Sequence, residues 1–156
     1  MSKSLKRVKR TLDEAGLEVD VIEMPTETRT AQQAADAAGC LLDQIAKSII
    51  FQGTDSGRVI LFITAGGNRV DTEKAAQVAG EPLGKANAEV IRAQTGFAIG
   101  GVAPVGHLSE ISSFWDPRLS DFDLIYAAAG TPRHIFSVAP MDLLARSKSK
   151  PAEFTS

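Results

Sequence analysis

Two apolar runs, residues 45–51 and 59–64, flank the turn-rich linker Gln52-Gly53-Thr54-Asp55-Ser56-Gly57-Arg58. That spacing predicts a β-hairpin. One residue sits badly in it. Lys47 lies within Gln44-Ile45-Ala46-Lys47-Ser48-Ile49-Ile50-Phe51, a segment that otherwise reads as a buried strand. An amine in such a run is destabilising unless it is paired or put to use. Two readings follow. Lys47 points to the solvent side of a half-covered strand, or it projects into a cleft. In a cleft it could hold a phosphate as a point charge, or act as a base if desolvation lowers its pKa.

The other elements follow from periodicity and punctuation. Leu5, Val8, Leu12 and Ala15 recur at helical spacing, with Lys3, Lys6, Arg7, Lys9 and Arg10 on the remaining face, so residues 3–15 form an amphipathic helix stopped by Gly16. Its basic face is expected to be solvated. A short strand spans residues 19–24, and Thr30 caps a helix closed by Gly39. Asp43 opens a short turn. Asp71 caps a third helix that ends at Gly80, and residues 86–94 form a fourth. Residues 106–123 read as a connector, 124–128 and 134–138 as a second strand pair, and 140–145 as a last helix with Pro140 in its first turn. Helices and hairpins without regular βαβ alternation predict a single α+β domain with a central mixed β-sheet and flanking helices. Its expected extent is residues 1–146, with 147–156 a polar, frayed tail.

Composition narrows the setting. With 156 residues and 44% hydrophobic content the chain can bury a core without disulfides or metal. The single Cys40 has no partner, which favours a reduced, cytoplasmic setting. No apolar run approaches the ~20 residues of a membrane span. A net charge of −2 argues against broad nucleic-acid binding but permits a local basic patch.

A second chemical feature lies some fifty residues beyond Lys47. Thr95-Gly96-Phe97-Ala98-Ile99-Gly100-Gly101-Val102-Ala103-Pro104-Val105-Gly106-His107 is an apolar loop offering backbone amides and no charge. Adjacent glycines allow close approach of a ligand, Pro104 stiffens the loop, and free N–H groups suit an oxyanion. The alternative is a plain connection. His107 and His134 have no Cys, Asp or Glu at metal-ligand spacing, so no metal site and no cofactor are expected. His134 reads either as a strand-end histidine or as a pocket wall. Cys40 reads as a small buried hydrophobe. Arg69, in Asn68-Arg69-Val70-Asp71, could reach a phosphate or an internal carboxylate.

The Lys47 segment, the glycine loop and Ile125-Tyr126-Ala127-Ala128-Ala129-Gly130 together resemble the YbaK/EbsC family, related to the editing (insertion) domain of bacterial prolyl-tRNA synthetase. The resemblance runs from the first helix to Ala145. It implies a free-standing trans-editing enzyme that hydrolyses the ester between a wrong, small amino acid and the 3′ end of a tRNA, most often the tRNA for proline. The implied partners are the acceptor end of aminoacyl-tRNA and a synthetase such as prolyl-tRNA synthetase, with no membrane.

Residue by residue, the resemblance makes Lys47 the essential lysine, with Ser48 beside it. Gly100 to Pro104, including Gly101 and Val102, match a Gly-x-x-x-Pro loop lying against the ester. Gly130 to His134 match a Gly-x-x-x-His pattern whose histidine lines the amino-acid pocket. The cysteine-specific branch carries an aspartate near Ile135, where this chain is apolar, so cysteine is not the expected substrate. No protein base is evident, which implies a water activated by the substrate's own ribose hydroxyl. Two other readings stay open at this point: a non-catalytic tRNA-end or nucleotide-binding module, and a hydrolase of small esters.

Overall fold

The computed structural model describes residues 2–156. In chain order the elements are α1 (Lys3–Glu14), β1 (Val21–Glu23), α2 (Ala31–Ala38), β2 (Ile45–Gly53), β3 (Val59–Ala65), α3 (Thr72–Ala79), β4 (Leu83–Lys85), α4 (Ala88–Thr95), β5 (Ser112–Trp115), β6 (Ile125–Thr131), β7 (His134–Val138), α5 (Pro140–Ser147) and β8 (Lys150–Pro151). The caps fall where the sequence places them. Thr30 accepts from Gln33 N–H, Asp71 accepts from Glu73 and Lys74 N–H, and Gly39 and Gly80 end their helices in the left-handed conformation.

One sheet runs in the order β1-β7-β6-β2-β3-β5-β8, with β4 also paired to β2. It is mixed. β2/β6, β3/β5 and β5/β8 are parallel, and the remaining pairs are antiparallel. The predicted β2–β3 hairpin forms with Ala46 opposite Ala65 and Gln52 opposite Val59. Register then sorts the side chains. Ala65, Ile63 and Leu61 join α1 residues Leu5, Val8 and Leu12 in the main core, while Phe62 and Ile60 pack with Ala75 of α3 and with Phe154 on the other face. Covered on both sides, every residue of β3 is buried. The single α+β domain with a mixed sheet and flanking helices is therefore the observed architecture.

Three expectations need correction. β4 falls in Leu83-Gly84-Lys85, whose three residues and central glycine give too short a pattern to read. The 106–123 connector contains β5 and a 3₁₀ turn over Pro117–Asp121. Two serines hide the apolar alternation of β5, yet Ser113 is buried because its hydroxyl lies 2.8 Å from that of Ser149. The tail after residue 146 is not frayed. β8 pairs with β5, Asp71 N–H donates to the Phe154 carbonyl, and Phe154 is fully buried against Phe62 at 4.9 Å between ring centroids. One aromatic anchor outweighs the polarity of its neighbours. Phe154→Ala is accordingly expected to destabilise the domain by about 3–5 kcal/mol in denaturant titration. A loss within experimental error of zero would show that the tail does not close the core.

Candidate functional site

The sheet carries a gap beside Lys47. The parallel ladder between β2 and β6 comprises only Ile45–Tyr126 and Ala46–Ala127. β4 joins the same edge of β2 only from Phe51 onward. Residues 47–50 of that edge therefore have no strand beside them. The divergence has a local cause. β6 breaks register with β7 between Ala128 and Thr131, and Gly130 adopts φ +98° there. Such a bulge bends its strand. A Cβ at Gly130 would lie 2.9 Å from the Ser4 carbonyl, so the bend also fits closely against α1.

The gap opens into a cavity of about 430 Å³. Its walls come from α2 and the residues before it, β2, Lys85, the Ile99–Gly100–Val102 segment of the glycine loop, residues 126–128 of β6, and Ile135 of β7. Lys47 and Ser48 line it, as do Gly100 and Val102. No Asp, Glu or His lines it. Its charged groups are Arg29, Lys47 and Lys85.

Lys47 is the first β2 residue past the last β6 pair. Among the described residues no carboxylate lies within ion-pair distance of its ammonium. Burial lowers its pKa from the ordinary value and the nearby Arg69 guanidinium lowers it further, while Asp116 and Asp43 pull the other way. Both carboxylates are engaged elsewhere. Asp116 accepts from Ala65 N–H, Asn68 Nδ2 and Arg118 N–H, and Asp43 accepts from Gly67 N–H and Arg118 Nε. A lysine beside a second cation, with both nearby carboxylates already engaged, suits an anion.

Ser48 contributes twice. Its hydroxyl oxygen is buried and has no hydrogen-bond partner among the described residues. Its backbone also faces the gap. Gly53 N–H donates to the Arg58 carbonyl, so odd residues of β2 bond to β3, and even residues turn their N–H and C=O to the other edge.

The glycine loop is held at both ends by a residue the sequence reading assigned to solvent. Arg7 of α1 donates through Nε to the Gly106 carbonyl at 2.7 Å and through Nη2 to the Gly96 carbonyl at 2.9 Å. Its guanidinium lies over the Phe97 ring at 4.5 Å, and burial lowers its pKa. His107 adds an internal brace, with Nε2 2.7 Å from the Ala103 carbonyl, and burial keeps its pKa below the usual histidine value. Inside the loop, Gly101 N–H donates to the Ala98 carbonyl. Its amide is therefore spent on a turn. Among the described residues the amides of Gly100 and Val102 find no acceptor, and these two residues line the cavity.

Four of the sequence-derived site residues lie outside the cavity lining. Gly101 is buried against the β6–β7 turn, where a Cβ would sit 2.8 Å from Thr131 backbone atoms. Pro104 lines a different groove. Gly130 serves the bulge. His134 opens onto a separate depression with Glu23, its Nδ1 2.6 Å from Thr131 Oγ1. Strand alternation explains this, because Ile135 takes the cavity-facing place on β7. The sequence reading missed Arg29, Lys85, Tyr126 and the Asp116 network. The N-cap at Asp116 before Pro117 was the one readable signal among them.

With this geometry in hand, the comparisons are specific. A family model described as the aminoacyl-tRNA editing domain matches residues 25–145. The chain belongs to the aminoacyl-tRNA editing domain family. YwhH of Bacillus subtilis strain 168 is 33% identical over 147 residues, covering 94% of this chain and 93% of that protein. A crystal structure of a candidate trans-editing enzyme for prolyl tRNA synthetase superimposes with a TM-score of 0.92 at 41% identity, covering 100% of this chain and 99% of the other. A scaffold from work on epitope backbone grafting superimposes equally well, with a TM-score of 0.92 at 38% identity over 100% of this chain and 99% of that one. The span matched as an editing domain contains Lys47, the glycine loop and the β6–β7 pair, while Arg7 and Phe154 lie outside it.

Two outcomes test this description of the editing-domain site. Because Lys47 bears an unpaired charge whose pKa is lowered on folding, the protonated lysine opposes folding at neutral pH, and that penalty fades as pH rises through its folded pKa. Lys47→Met is expected to melt at or above the wild-type temperature at pH 7; a clearly lower melting temperature would mean that Lys47 stabilises the strand. Gly101→Ala should destabilise by about 1–3 kcal/mol, because the added methyl meets fixed backbone. Wild-type stability in that variant would show that the loop is not docked on the β6–β7 turn.

Proposed function

We propose that this chain hydrolyses the ester of mischarged aminoacyl-tRNA carrying a small amino acid, with the tRNA for proline as the carrier. The observation that carries the reading is the pairing, in one cavity free of Asp, Glu and His, of an unpaired Lys47 with the unused amides of Gly100 and Val102. Membership of the editing-domain family and the likeness to a candidate trans-editing enzyme for prolyl tRNA synthetase support it.

In this reading the terminal adenosine and its ester enter the gap between β2 and β6. Lys47, with Arg69 nearby, holds the terminal phosphate and fixes the ester's position. The Gly100 and Val102 amides stabilise the tetrahedral oxyanion. Ser48 supplies a hydrogen bond to a polar group of the aminoacyl-adenosine. With no carboxylate or imidazole in the walls, the ribose hydroxyl next to the ester relays the proton, accepting one from the attacking water as it passes its own to the departing ribose oxygen. The water oxygen bonds to the carbonyl carbon, the ester C–O bond breaks, and the ribose oxygen leaves with a proton. Aminoacyl esters are already reactive, so positioning supplies much of the rate.

Selection is steric. Ala127, Ala128, Val102 and Ile135 give an apolar wall suited to a methyl or ethyl side chain. The cysteine-specific branch, from which this chain departs, carries an aspartate near Ile135, and an apolar residue there favours alanine or 2-aminobutyrate. Excluding a larger ring by clash is easier than rejecting a missing methylene, which yields only about 1–3 kcal/mol. A prolyl-tRNA synthetase partner would present such substrates, and the protein would act in the cytoplasm.

The test is deacylation of tRNA for proline charged with alanine, 2-aminobutyrate, cysteine, serine or proline, alongside alanine and serine on tRNA for threonine. Lys47→Ala is run in parallel. Turnover of one small amino acid, sparing prolyl-tRNA and lost at least about 100-fold in Lys47→Ala, is the expected result; one lost positioned contact of a few kcal/mol gives that factor. No turnover of any ester by the folded wild type would refute the enzyme and leave a binding module.

A further inference from the structure

A second concavity lies on the far side of the glycine loop. It measures about 810 Å³ and is lined by Pro104–Ile111 on one side and by β5 and the end of α5 on the other. Four cations open onto it, Arg58, Arg146, Lys148 and Lys150, against one carboxylate, Glu110. That ratio departs from the chain as a whole, in which 19 acidic residues outnumber 17 basic ones. All four cations are exposed, and among the described residues none is held in an ion pair with a carboxylate. Three of them follow residue 145, where the editing-domain match ends.

We propose that this groove binds the sugar–phosphate backbone of the tRNA acceptor stem while the 3′ end occupies the Lys47 cavity. The inference rests on the editing reading given above. The two concavities share one wall. Gly100 and Val102 line the cavity, and the same loop continues as Pro104, Val105, Gly106 and His107 into the groove. An RNA strand leaving the cavity over this loop meets the cationic surface.

The local structure fits a phosphate-binding edge. Ser147 and Ser149 turn inward, with hydroxyls 2.7 Å apart and Ser149 bonded at 2.8 Å to Ser113. This pins the segment and leaves the alternate residues, Lys148 and Lys150, outside. Lys148 is the only non-glycine residue with a left-handed φ among the described residues, at +55°. It terminates α5 at a position where glycine is the unstrained choice. A lysine there places a charge at the cost of some local backbone strain. Phosphate neutralisation by such side chains carries no sequence information and makes binding salt-dependent.

The experiment measures the affinity of a deacylated acceptor-stem RNA hairpin ending in CCA, between about 50 and 200 mM salt, where such contacts are most visible. Each lost phosphate contact lowers the log–log salt slope by about 0.9. The triple variant Arg146→Glu, Lys148→Glu, Lys150→Glu is expected to bind at least about 10-fold more weakly at 100 mM salt, with a slope shallower by about 2–3. Its hydrolysis of an aminoacyl-CCA trinucleotide, which lacks a stem, should be unchanged. Lys148→Gly separates charge from folding, since it relieves the left-handed strain; it should keep or raise the melting temperature and still weaken the hairpin. Wild-type affinity and slope in both variants would overturn the proposal. So would equal losses on hairpin and trinucleotide. Because hairpin binding needs no ester turnover, a protein that binds through the groove but hydrolyses nothing would sink the editing reading and leave the groove standing.

Discussion

The parallel contact between β2 and β6 lasts two residues, and the geometry of the site depends on its ending there. A bulge around Gly130 bends β6 away, while β4 reaches β2 only at Phe51. Between these points a central strand exposes an edge that sheets normally cover, because unpaired backbone groups inside a fold are destabilising. Here the edge opens into a cavity. The lysine that looks misplaced in an apolar run stands at the first uncovered position, and the next residue carries a buried hydroxyl with no partner. A single departure from regular pairing thus generates the space, its charge and its unsatisfied polar groups together.

The opposite wall is the glycine loop, and in the proposed reaction its amides stabilise developing charge only if they are preorganised. Its rigidity comes from outside the loop. Arg7 ties the Gly96 and Gly106 carbonyls to α1, and Gly101 packs against the backbone of the β6–β7 turn. The Asp116 network serves the other side in the same way. By bonding to Ala65, Asn68 and Arg118, it engages one of the two carboxylates whose charge acts on Lys47. The editing-domain match covers residues 25–145, whereas the α1 clamp and the Phe154 anchor lie outside it.

Much of this was legible in the sequence. Caps and glycines placed α2 and α3, alternating apolar runs placed the hairpin, and the oddity of Lys47 pointed to the cavity it lines. The failures share a cause. β4, β5 and β8 are short, and tertiary pairing rather than pattern makes them strands. Arg7 reads as one more cation on an amphipathic helix, because nothing local shows that two carbonyls 89 and 99 residues away will meet it. His134 was misplaced by a single step of strand alternation, which puts Ile135 in the cavity instead. Sequence registers which residues are unusual, but not which face of a bent strand they will occupy.

Editing at this site requires the β2–β6 gap to hold the aminoacyl end of a tRNA between Lys47 and the glycine loop. The most direct measurement is a crystal structure with an alanyl-adenosine analogue whose ester is replaced by a non-hydrolysable amide and which carries a 5′-phosphate. The account predicts the amide carbonyl oxygen about 3 Å from the Gly100 or Val102 N–H, a normal hydrogen-bond distance, with the phosphate beside Lys47. An analogue bound elsewhere on the protein, with the Lys47 cavity unoccupied, would contradict it.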